Sequence, residues 1–129
     1  MTTTLPRMPF PRSSTALAGL TALGLAFAIP AHAKTTNCNV QNDSTKYGPS
    51  YITSLKVTNT TCARGKQVVR AYHACRHRHG GRKGRCPKGT SILGYHCTET
   101  RQSIATQLTG KVTCRKSTAR IVHTYTEFT

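Results

Sequence analysis

The chain has 129 residues, with 19 Lys and Arg against three Asp and Glu, a formal net charge of +16, six cysteines and no Trp. That imbalance excludes neutralisation by internal ion pairs and leaves a positive field that favours anionic partners. Glycoside hydrolysis needs two carboxylates in one cleft, and here they would have to come from Asp43, Glu99 and Glu127, which are scattered along the chain.

Residues 1–33 read as a signal peptide. Arg7 and Arg12 form a positive leading region, an apolar run extends from Ala16 to Ile29, and Pro30-Ala31-His32-Ala33 ends in a small-x-small cleavage pattern. The run is shorter than the roughly 20 apolar residues that a membrane-spanning helix needs. Cleavage after Ala33 leaves Lys34 to Thr129, which carries 17 Lys and Arg, all three carboxylates, all six cysteines and no candidate transmembrane segment. The expected location is extracellular.

Residues 34–50 are polar and read as an arm pinned by Cys38. Tyr51 to Asn59 alternates as a strand, with Leu55 and Val57 inward and Ser54 and Lys56 outward. Thr60 or Thr61 is suited to cap the helix that follows. Cys62, Gly65, Val68, Val69, Tyr72 and Cys75 recur at helical spacing and predict one buried face. Gly65, within that face, implies close approach to a strand. The helix is expected to end before Gly80-Gly81, with Arg76, His77 and Arg78 beside the negative end of its dipole. Ser91 to Cys97, Ser103 to Leu108, Lys111 to Arg115 and Ala119 to Phe128 read as strands, the last two as a hairpin around Lys116-Ser117-Thr118. The order β-α-β-β-β predicts an α+β fold, one helix laid on a small antiparallel sheet over residues 51–129.

Six cysteines in an exported chain of this size predict a disulfide framework, and spacing alone leaves all fifteen connectivities open. Cys75 to Cys86 bounds the most distinctive stretch, a glycine-rich basic loop within residues 76–90. Arg76, Arg78, Arg82, Lys83, Arg85 and Lys88 are the candidate anion-binding residues, because guanidinium and ammonium groups grip phosphate and sulfate oxygens. The loop has no Tyr, Phe or Trp, so sequence-specific nucleic-acid reading is not expected.

The same loop spells a zinc set, Cys75, His77, His79 and Cys86, but the short first gap and the surrounding arginines weigh against it. No cofactor or metal is expected. A metal-free ribonuclease is a minor alternative, with His96 and His123 as acid and base. Tyr47, Tyr51, Tyr72, Tyr95 and Tyr125 are expected to supply core bulk rather than a stacking platform. Asn42-Asp43-Ser44 and Asn59-Thr60-Thr61 match glycosylation sequons.

The helix opening Cys62-Ala63-Arg64-Gly65, the strand end Gly94-Tyr95-His96-Cys97 and Val112-Thr113-Cys114 resemble small secreted cysteine-containing domains of high-GC Gram-positive bacteria. Gly65 stands where those domains carry alanine, and Cys75, Cys86 and the basic insert are additions. The resemblance covers roughly residues 51–126 and implies an α+β fold. It also implies bridges from Cys62 to Cys97 and from Cys38 to Cys114, leaving Cys75 for Cys86, and it brings no catalytic residues. The reading that results is a secreted, non-enzymatic binding domain for a wall polymer, extracellular nucleic acid or acidic protein. A secreted inhibitor or toxin-like protein is the alternative, since a constrained loop lowers the ordering cost of binding.

Overall fold

Strand alternation and one amphipathic helix build the molecule, which is known from a computed structural model that describes residues 32–129. The expected signal peptide lies outside the described residues apart from His32 and Ala33. β1 (Thr35–Cys38), β2 (Tyr51–Thr58), α1 (Cys62–Arg78), β3 (Ser91–Ile92), β4 (Tyr95–Ile104), β5 (Gln107–Lys116) and β6 (Ala119–Phe128) follow in order. The strands form one antiparallel sheet in the order β1-β2-β6-β5-β4-β3, with α1 packed on one face.

Thr61 caps the helix, its Oγ1 accepting from Arg64 N at 3.1 Å. Gly65, Val68, Val69, Tyr72 and Cys75 are buried as the spacing predicted. A Cβ on Gly65 would stand 2.7 Å from Val57 Cγ1, so glycine sets the distance between α1 and β2. From the sheet come Leu55, Val57, Val112, Cys114, Ile121 and Tyr125, all buried. Tyr47, Tyr72, Tyr95 and Tyr125 are buried too and supply core bulk, whereas Tyr51 is half-buried outside the core against Phe128. Among the described residues, no helix is long and apolar enough to cross a membrane.

The fold departs from the sequence reading at the sheet's margins. The 34–50 arm contains β1, which pairs with β2 from Thr35↔Thr58 to Cys38↔Leu55, and it sends Val40 and Tyr47 into the core. Ser91 to Cys97 is not one strand. Leu93 and Gly94 have φ of 51° and 84°, and this tight turn folds β3 back on β4. Ser103 to Leu108 is not a strand of its own: Ser103 and Ile104 end β4, Gln107 and Leu108 begin β5, and Ala105-Thr106 is the turn between them.

Three disulfides join Cys38 to Cys62, Cys75 to Cys86 and Cys97 to Cys114. The Cys75–Cys86 bridge is as expected. The other two replace the pairs implied by resemblance, for a topological reason. Cys97 and Cys114 sit directly opposite each other on adjacent strands, while β1 brings Cys38 to the start of α1.

Candidate functional site: a basic loop on a buried ionic base

The helix changes character along its length. Its first half buries Gly65, Val68 and Val69, and its last two turns bury His73 and Arg76, both at 0% exposure. Opposite them, the helix-facing positions of β4 and β6 carry Glu99, Arg101, His123, Tyr125 and Glu127. A pocket of charged and polar side chains thus replaces apolar packing under the C-terminal end of α1.

Arg76 is the hub. Its Nε and Nη1 lie 3.9 Å from Glu99 Oε1 and 3.7 Å from Glu127 Oε2, and its guanidinium stacks 4.4 Å from the Tyr125 ring centroid. Arg101 Nε sits 2.9 Å from Glu99 Oε1, and the Tyr125 hydroxyl donates to the same oxygen. Ser50 Oγ donates to Glu127 Oε1 at 3.2 Å. Two guanidinium groups and two carboxylates therefore balance inside the protein, which offsets the desolvation cost of burying any one of them. Burial raises the Tyr125 hydroxyl above its ordinary pKa, and its bond to Glu99 acts in the same direction. Tyr72 is raised as well, first by burial and then by the nearby Glu99 charge.

The same hub fixes the histidine tautomers. A guanidinium can only donate, so Arg76 Nη1 donates to His73 Nδ1 at 2.7 Å. His73 therefore carries its proton on Nε2 and donates to His123 Nε2 at 3.0 Å, leaving the His123 proton on Nδ1 with no partner. Both imidazoles are held neutral. Burial lowers His73 strongly, aided by His123 and Arg76, and burial with the Arg76 charge lowers His123 to about 3.

The basic loop stands on this base through its backbone. Arg76 donates from Nη2 to the Arg82 carbonyl at 2.7 Å and from Nε to the Gly84 carbonyl at 3.3 Å. Arg101 donates from Nη1 to the Lys83 carbonyl at 2.9 Å and from Nη2 to the Gly84 carbonyl. Gly84 is buried against the Arg76 and His79 carbonyls, leaving no room for a Cβ. With three successive carbonyls held and Cys75 bonded to Cys86, the loop has a defined shape. Arg78, Arg82, Lys83, Arg85 and Lys88 all project exposed from it.

Arg85 and Lys88 also border a cleft of about 310 Å³ between the loop and β4, shared with Tyr72, Cys86, Thr98 and Glu99.

Five of the six predicted anion-binding residues are on the surface, and Arg76 is not. It sits in the core, spent on Glu99, Glu127, His73 and the loop carbonyls, so it is removed from the contact set. Arg101, Glu99, Glu127 and His73, which shape the site from below, were missed. Their helix- and strand-face positions were a sequence signal, but their partners lie far along the chain. The ribonuclease pair is not brought together. His123 is buried facing α1, whereas His96 is exposed at an outward-facing position of β4. Cys75 and Cys86, half of the zinc set, are joined to each other. No protein-family model, characterised relative or solved structure matches the chain.

Proposed function

We propose that this is an exported, non-enzymatic cationic domain that holds an anionic polymer through the 76–90 loop, with Arg78, Arg82, Lys83, Arg85 and Lys88 as its contacts. The observation that carries the reading is the clamping of the loop backbone by Arg76 and Arg101 from within the core. A loop ordered before binding loses little entropy on contact, so its charges act as a prepared array. The expected leader at 1–33 and the three disulfides support an oxidising compartment outside the cell.

Contacts of this type release counterions and weaken steeply with salt. Replacing Arg78, Arg82, Lys83, Arg85 and Lys88 together by Gln is expected to shift elution from heparin-agarose to clearly lower salt. Elution at an unchanged position would refute the loop as the contact.

A further inference from the structure

The face of the sheet turned away from α1 is a second cationic surface, on the opposite side of the sheet from the loop base. Strand register places His96, Arg115 and Arg120 in one row across β4, β5 and β6. Lys56 and Lys111 stand on the same face in the two rows beyond, and all five side chains are exposed. Neighbouring strands lie about 4.8 Å apart, so Arg115 and Arg120 set two positive groups side by side.

Arg115 and Arg120 are direct cross-strand partners, an arrangement that destabilises a sheet unless something neutralises it. The described residues supply no carboxylate to do so. Glu99 and Glu127 lie beneath α1, and Asp43 is held by Lys46 at 2.9 Å and Lys66 at 3.6 Å.

The spaces between these cations hold short hydroxyl side chains and one valine, Val122, which lies between Thr113 and Lys56. Thr98 faces Thr113, and Thr124 lies between Lys111 and Ser54. Among the described residues, Tyr and Phe occur on this face only as Tyr51 and Phe128, paired at 5.7 Å at the far end of β2 and β6. Single-stranded nucleic acid needs a series of stacking platforms, and a duplex needs an element that enters a groove. A sheet face of short side chains and uncompensated cations lacks both. It complements a chain that carries hydroxyls and spaced anionic groups.

We infer that the open sheet face binds a linear acidic polysaccharide, independently of the 76–90 loop. The test starts from the loop-neutralised protein, into which Lys56→Gln, Lys111→Gln, Arg115→Gln and Arg120→Gln are added. Residual binding to heparin is expected to weaken at least tenfold, and binding to poly(dT) by much less. No change on heparin, or a loss as large on poly(dT), overturns the inference. Thr113→Val with Thr124→Val keeps every charge and is expected to weaken heparin binding severalfold; an unchanged affinity counts against a glycan. A structural readout separates binding from folding. Arg120→Thr is expected to raise the melting temperature by about 1–4 °C at low salt by relieving the like-charge pair. A fall in melting temperature would mean that the arginine serves the fold, and the inference would fail.

Discussion

Arg76 shows how far a residue's role can depart from its neighbourhood in the chain. It opens a run of basic residues and reads as one more surface cation, yet it is fully buried and holds two carboxylates, one imidazole and two loop carbonyls. Removing one partner of a buried ionic group leaves the others uncompensated, which costs about 3–5 kcal/mol. Arg76→Leu is therefore expected to lower the urea midpoint by that equivalent, whereas Arg78→Leu, exposed two residues later, should change it little. Equal effects in urea denaturation would show that the buried network is not formed. Gly84 belongs to the same account, because its missing Cβ lets the loop close over the Arg76 carbonyl.

The elements were legible to different degrees, for reasons that trace to particular residues. The helix announced itself through Thr61, the spacing from Cys62 to Cys75 and Gly80-Gly81, all local signals. β6 was also read with its true limits, since Ala119 to Phe128 alternates cleanly after the turn at Ser117. β1 was not read, because its exposed Thr35, Thr36 and Asn37 carry no apolar pattern and are strand only by pairing with β2. The loop is an element in its own right once Cys75 joins Cys86. Opening that bridge with Cys75→Ser and Cys86→Ser is expected to cost about 2–3 kcal/mol of stability, given the short ring it closes. The same double variant should elute from heparin at lower salt with every positive charge retained. Unchanged elution would show that closure adds nothing to the loop's grip.

At the scale of the whole molecule, charge is sorted by depth. Two of the three carboxylates are inside with two guanidinium groups and two neutral imidazoles, and the outside is left almost wholly cationic. This arrangement predicts acid sensitivity. Unfolded imidazoles protonate near pH 6.5, while His73 and His123 are held well below that when folded, His123 to about 3. Between those limits the unfolded chain binds more protons. Stability should thus be full above about pH 6.5 and fall as pH drops toward 3, by up to about 1.4 kcal/mol per pH unit for each imidazole. Urea unfolding between pH 7 and pH 4 measures this, and a flat profile in wild type would contradict buried neutral histidines. Composition and periodicity were enough to establish a small disulfide-rich cationic domain with one helix on a sheet, because charge count, cysteine count and helical spacing are properties of the chain alone. Which cysteines pair, which arginine of the basic run turns inward and which threonines and arginines share the open face depend on register between segments up to 78 residues apart, as Ser50 and Phe128 are. Only packing sets that register, since the groups that stabilise it meet nowhere until the sheet has closed against the helix.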